Sequence, residues 1–405
     1  MKKILIVLGV LAFLLLMAFL LFKDKYKRLQ FARKMFSGVE QVERFRSMEQ
    51  YFPTRVIQPG ATPSLFKRAT EIDLPETYSY KGQTKNTQQL LDETDITGLM
   101  VLKQDTILYE SYFRGNTETS HTIGWSVTKS FVSALMGIAI EEGHIKNIQE
   151  KAVDYLPELA GSAYAEVTIK NLLQMSSGVS WNEDYSDPDS DINRFGRTLA
   201  LGGSFEDFAK TLSSDKPQGT YNRYNSSDTQ VLGMIISAAT NRSLSDYLQE
   251  KIWEPLGMEY PAWWVIDDQG IEFAAGGLSA SLRDYARLGL LYLNNGNWKG
   301  QQIVPARWIK QTLTPDAPHL QPGVNPNSNN EYGYGYQWWI LDGAENEFSA
   351  IGIYNQLVYV NPTHNIIIAK SAANSSYGLT DEESSYREIE NFELMRAIVD
   401  QVKGQ

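Results

Sequence analysis

Apolar and polar positions divide this chain into unlike stretches. From Ile4 to Phe22 the residues run without a single polar side chain. Nineteen such residues are enough to cross a hydrocarbon core as a helix, which predicts an N-terminal transmembrane anchor over residues 1–22. The run ends in Leu20-Leu21-Phe22 and passes directly into Lys23-Asp24-Lys25-Tyr26-Lys27-Arg28, with no small-residue cleavage pattern, so the anchor is expected to stay uncleaved. Residues 23–75 form a basic juxtamembrane and lead-in segment, punctuated by Pro53, Pro59, Gly60 and Pro63. Regular patterning begins after it. Residues 97–113 read as two strands around Gln104-Asp105, and a second pair follows at Gln356–Val360 and Ile366–Lys370 around Asn361-Pro362. Helical patterns and long polar loops fill the interval. The last element, Ser384 to Val402, places Tyr386, Ile389, Phe392, Leu394, Met395, Ile398 and Val402 near one helical face. Strands at both ends with helices between them predict an antiparallel sheet whose first and last strands pair, plus a mostly helical insertion, in one domain over 76–405.

Charge sharpens this picture. Residues 1–34 carry eight basic side chains and one acid, and the remaining 371 residues carry 29 basic and 47 acidic ones, a net charge of −18. So acidic a body excludes nucleic acid as a partner, since phosphate contact requires clustered positive charge. Without cysteine there is no disulfide frame, thiol nucleophile or thiolate metal site. The four histidines show no metal spacing, and neither a metal nor a cofactor is expected. Basic residues on both sides of the apolar run count towards a cytoplasmic body, although long domains translocate despite such charges.

Nucleophile candidates come from spacing. No G-x-S-x-G elbow occurs, and His121, five residues before Ser126, reads as a loop histidine. Ser-x-x-Lys occurs three times, at Ser64/Lys67, Ser126/Lys129 and Ser213/Lys216. Pro217 closes off the third, and the first lies in the proline-punctuated stretch. Ser126 alone opens a helical pattern, in which Val127, Phe131, Leu135 and Ile138 recur at helical spacing until Gly143. A serine in the first turn meets the positive end of the helix dipole, and a lysine one turn on lies on the same face. A desolvated lysine amine can take the proton that makes a serine nucleophilic. Tyr224 precedes a second helical pattern, with Ser226 or Ser227 as its cap, and can project a phenol into a cleft, with Tyr221 three residues earlier as its competitor.

Ser126-Val127-Thr128-Lys129, Tyr224-Asn225-Ser226 and Phe348-Ser349-Ala350-Ile351-Gly352-Ile353 stand in the order of three motifs of the penicillin-recognising serine hydrolases. From about residue 36 onward the chain resembles that family, which includes class C beta-lactamases, D-alanyl-D-alanine peptidases, family VIII carboxylesterases and 6-aminohexanoate-dimer hydrolases. Residues 172–191, 276–289 and 333–339 resemble the last branch in particular. The resemblance implies a beta-lactamase/transpeptidase-like α/β (α+β) fold. It also implies an acyl-enzyme on Ser126 with Lys129 and Tyr224 moving protons, and an oxyanion hole from the backbone N–H groups of Ser126 and Ile353. Members are commonly exported, which places the catalytic domain on the periplasmic, extracytoplasmic side of the membrane.

Departures from the family pattern bear on substrate. Ser226 stands where class C enzymes have Asn in Tyr-x-Asn, and Ala350-Ile351-Gly352 replaces Lys-Thr-Gly. Gly352 is kept, and a side chain there would obstruct a substrate lying along the strand. Losing the lysine at Ala350 shifts base work towards Lys129 and removes a partner for a substrate carboxylate. In the acidic loop 181–191, Asp187-x-Asp189-x-Asp191 fails as the start of a calcium loop, because the sixth and twelfth positions counted from Asp187 are Ile192 and Thr198. By resemblance it lies at the site entrance, where Tyr185 and the acids would meet an amine-bearing substrate. The expected partner is a small-molecule amide or ester. Beta-lactamase or D-alanyl-D-alanine carboxypeptidase activity remains the alternative, and a non-catalytic membrane-anchored binding protein on the same fold is the rival of another class.

Overall fold

Alternation along the paired strands decides which residues meet. In a computed structural model describing residues 2–38, 40–380 and 382–404, twelve strands build two sheets. In chain order they are β1 (Thr54–Ile57), β2 (Lys67–Arg68), β3 (Ile96–Lys103), β4 (Thr106–Tyr112), β5 (His121–Ile123) and β6 (Ala262–Val265). Then come β7 (Leu278–Ser281), β8 (Gly333–Tyr334), β9 (Trp339–Ile340), β10 (Phe348–Gly352), β11 (Gln356–Asn361) and β12 (Ile366–Ala372). The main sheet runs β8-β9-β10-β11-β12-β3-β4-β2, antiparallel except at the β2 edge. Its centre is the expected closure of early on late strands, with Val101 opposite Ile368 and Leu99 opposite Lys370. A smaller antiparallel sheet, β1-β6-β7-β5, lies to one side.

The principal helices are α1 (Lys2–Lys34), α2 (Thr128–Glu141), α3 (Asp191–Leu201), α4 (Ser226–Thr240), α5 (Leu282–Leu293) and α6 (Glu388–Val402). Each face of the main sheet has its own core. Met100, Leu102, Val358, Val360 and Ile367 join the cluster that contains α2, α4 and α5. Leu99, Val101, Leu357, Tyr359 and Ile368 join Phe392, Met395 and Ile398 of α6 on the other face. This is the period-two division expected of a sheet covered on both sides. Helix α5 approaches the sheet closely at Gly289, where a Cβ would lie 2.9 Å from Ile367 and Val358. Helix α2 is buried nearly all round, from Thr128 to Ala139, which fits its almost uninterrupted apolar sequence.

Two expectations are corrected here. The apolar run is helical, inside α1, yet among the described residues no helix is long and apolar enough to cross a membrane. Instead of ending in a free basic flank, α1 continues through those basic residues onto the protein body. Lys25 and Arg28 both pair with Asp268, at 2.9 and 2.8 Å, and Phe31 stacks on Tyr51. The membrane anchor, the membrane as a partner and the periplasmic placement that depended on it are therefore withdrawn. The last helix is also shorter than Ser384–Val402. Arg387 takes a left-handed conformation and separates a short turn at Glu383–Tyr386 from α6.

Candidate active site

Ser126 sits in a tight turn wedged between the two sheets. Strand β5 ends at Ile123, and a single 3-10 turn, Trp125–Val127, leads into α2. Trp125 has φ +47°, a left-handed conformation costly for a bulky residue and typical of functional turns. Surrounding contacts hold it there. Phe45 packs edge-on to Trp125, and Tyr285 donates its hydroxyl to the Leu278 carbonyl at 2.8 Å, with the Thr122 carbonyl just before the turn at 3.1 Å.

One helical turn on, Lys129 is buried at 1% exposure, and its Nζ lies 2.7 Å from Ser126 Oγ. The same nitrogen donates to the Ala275 carbonyl at 2.6 Å and to Ser226 Oγ at 3.2 Å. Burial lowers the amine to about 8, against a smaller upward pull from the Glu183 charge. A neutral lysine has two N–H bonds and one lone pair. Ala275 offers only an acceptor, and Ser226 gives its own proton to Glu183 Oε1 at 2.6 Å. Both Lys129 protons are thereby committed, and the lone pair is left for the Ser126 hydroxyl.

Tyr224 places its ring 5.1 Å from Lys129 Nζ and stacks on Trp339 at 5.1 Å. Burial, with the Glu183 charge second, holds its phenol well above the ordinary value, and interaction with Ser126 offsets this only in part. The phenol is therefore protonated at rest, in line with the base work falling to Lys129. The helix behind it is capped otherwise than expected. Asn225, not Ser226 or Ser227, accepts from Ser227 N at 2.9 Å and Asp228 N at 3.3 Å. Ser226 is thereby released to face Lys129.

The third motif reaches the same turn. A Cβ on Gly352 would lie 2.3 Å from the Gly124 carbonyl and 3.3 Å from Ser126 N, so its first role is to let β10 press against the nucleophile turn. This replaces the expected clash with substrate. Ile353 follows at the end of β10, partly buried. Ala350 is buried on the Ser126 side of the sheet and presents no polar group there.

Glu183 was grouped with the entrance acids, but the structure turns it inward. Its carboxylate accepts from Ser226 Oγ, Ser226 N at 3.1 Å, Tyr185 Oη at 2.7 Å and the Trp181 indole. Tyr185 thus meets Glu183, and burial with that charge holds its phenol well above the ordinary value. Asp184, Asp187 and Asp191 bond to Ser186, Asn182 and Asp189 within their own loop. The remaining candidates lie elsewhere. Lys67 pairs with Asp105, Lys216 covers the ring of Tyr221, and His121 stacks on Trp263.

The beta-lactamase family profile matches residues 84–391, most of the chain and all of this site. The chain belongs to the beta-lactamase family. A 6-aminohexanoate-dimer hydrolase of Paenarthrobacter ureafaciens is 30% identical over 292 residues, covering 70% of this chain and 74% of that one. A beta-lactamase of Providencia stuartii is 27% identical over 158 residues, 39% of this chain and 38% of its own. Among solved structures, a candidate 6-aminohexanoate-dimer hydrolase from Bacillus anthracis superposes with a TM-score of 0.81 at 23% identity, over 91% of this chain and 96% of that one. EstCE1, a hydrolase with promiscuous acyltransferase activity, gives 0.59 at 14% identity over 77% of this chain and 96% of its own. The beta-lactamase-fold chain is accordingly an enzyme, a serine hydrolase of this family.

Proposed function

We propose that this enzyme cleaves linear amides and short esters through an acyl-enzyme on Ser126. The observation that carries the reading is the buried Ser126–Lys129 pair at 2.7 Å with the lysine lone pair free for the hydroxyl proton. Lys129 takes that proton as Ser126 Oγ bonds to the substrate carbonyl carbon, whose oxygen becomes an oxyanion facing the N–H groups of Ser126 and Ile353. The proton passes from Lys129 by way of the Tyr224 phenol to the leaving amine or alkoxide as the carbonyl–leaving-group bond breaks. Water then adds to the acyl carbon with Lys129 as base, and Ser126 recovers its proton as the acid departs.

Substrate preference follows from the charges around the cleft. The acidic side chains that act on Tyr224 are Glu183 and Glu388, and Ala350 supplies no cation. Such a site disfavours a carboxylate next to the scissile bond and tolerates neutral or amine-bearing chains. The name of the Paenarthrobacter ureafaciens relative supports a linear aminohexanoate amide as one substrate. The test is a panel of p-nitrophenyl butyrate, 6-aminohexanoate dimer and a penicillin, run on wild type, Ser126→Ala and Lys129→Ala. Ester and dimer hydrolysis should exceed penicillin turnover, and both variants should lose about 10²- to 10⁴-fold. Penicillin turnover far above ester turnover would refute the substrate class. Full activity in Lys129→Ala would refute the mechanism. A folded wild-type protein that a fluorophosphonate leaves unlabelled would favour the non-catalytic binding protein.

A further inference from the structure

One hydrogen-bond path from Lys129 ends at a carboxylate. Lys129 Nζ donates to Ser226 Oγ, which donates to Glu183 Oε1 at 2.6 Å. Glu183 is bonded to no basic side chain among the described residues. It is held instead by four donors: Ser226 Oγ and N, Tyr185 Oη and the Trp181 indole. Four donors fix the carboxylate in position and orientation. It stands one hydroxyl away from the amine that must become an ammonium when Ser126 is activated.

We propose that Glu183 is a positioning residue for the acylation step: through Ser226 it orients the Lys129 amine towards Ser126 and stabilises the ammonium formed as the serine proton moves. The proposal rests on the Ser126–Lys129 mechanism above. It also explains why Ser226 suffices at the position where class C enzymes carry Asn. A hydroxyl can accept from Lys129 and donate to Glu183 at once, so it transmits the carboxylate's orientation to the amine.

The charged and titratable groups facing this arrangement are few. Lys129 meets the Glu183 charge and the Tyr224 ring. Tyr224 meets Glu183 and Glu388, and Tyr185 meets Glu183, Tyr224 and Tyr377. Tyr377 is itself bonded to Glu388 at 2.5 Å. Of the two carboxylates, Glu183 is the one bonded to Ser226, which in turn bonds Lys129, so neutralising it should move the Lys129 titration more than neutralising Glu388.

The test compares wild type, Glu183→Gln, Glu183→Asp and Glu388→Gln. The readouts are kcat/KM for p-nitrophenyl acetate against pH and the titration of the Lys129 ¹³Cε signal, assigned by its absence in Lys129→Ala. Removing an anion lowers the pKa of a neighbouring amine. In Glu183→Gln the acid limb and the NMR titration should therefore both move to lower pH, by about one unit. The plateau rate should fall by about 10- to 100-fold, the loss expected when a hydrogen bond to a charged group is removed. Glu183→Asp should bring the limb back towards wild type, and Glu388→Gln should move it less. A rate loss in Glu183→Gln with both titrations unmoved would overturn the proposal and leave Glu183 a structural brace. A limb displaced equally by Glu183→Asp and Glu183→Gln would overturn it as well. The NMR arm reads Lys129 directly, so a wild type without esterase activity would sink the hydrolytic reading and still decide this one. Should Glu183→Gln fail to fold, the displacement between Glu183→Asp and wild type decides: none is expected, and a full unit downward would refute the charge argument.

Discussion

Lys129 and Tyr224 are both pushed towards neutrality by burial, and this divides their work. The amine, lowered to about 8, is available as a base near neutral pH, whereas the phenol, held well above its ordinary value, keeps its proton and can only pass one on. Leaving-group chemistry exposes the difference. A p-nitrophenolate departs without protonation, but an amine cannot. Tyr224→Phe should therefore lose amide hydrolysis by about 10²- to 10⁴-fold while hydrolysing p-nitrophenyl butyrate at close to the wild-type rate. Parallel loss on both substrates would assign Tyr224 to activation of Ser126 instead.

Among the elements, what was legible in the sequence was whatever repeats. The alternation of 97–113 and 356–370 marked β3, β4, β11 and β12, and the apolar spacing from Val127 to Ile138 marked the helix that carries Lys129. Single contacts between distant segments left no such trace. Ser226 and Ser227 were the expected caps, but in the fold Asn225 caps and Ser226 turns to the lysine. Glu183 looks like the aspartates beside it until Trp181 and Ser226 draw it inward. Gly352 was read as making room for substrate, but the space is taken by the Gly124 carbonyl. That contact gives an element-scale expectation. Gly352→Ala must shift β10 off the Trp125–Val127 turn, at a cost of about 1–3 kcal/mol in stability. It should also lower kcat, since an ångström of misplacement can cost about 10²-fold. A variant with wild-type melting temperature and kcat would show the turn to be compliant.

For the molecule as a whole, buried ionisable groups shape stability against pH. Asp228, two residues past Ser226, is fully buried, accepts from the Tyr164 hydroxyl at 3.0 Å and is raised to about 8. Between the ordinary carboxylate value near 4 and about 8, the folded state keeps a proton that the unfolded chain has released, so this group makes stability fall as pH rises. Lys370, bonded to Thr94 and Asn391 and lowered to about 7, acts in the opposite sense from there towards 10.5, where only the unfolded chain holds the proton. Asp228→Asn keeps the shape without the ionisation. It should melt with wild type near pH 4 and progressively above it up to pH 8, and a gap independent of pH would mean that Asp228 is ionised in the fold. The main sheet carries a consequence for synthesis. Strand β3 leaves the ribosome early, but its central neighbour β12 emerges only after the whole helical insertion has been translated. Such long-range pairing is slow to form, and until it does the nascent chain presents an apolar strand edge that invites chaperones. The serine is made early too, but the strand ending in Gly352 that braces its turn comes late, so a half-made chain carries the nucleophile without the machinery to use it.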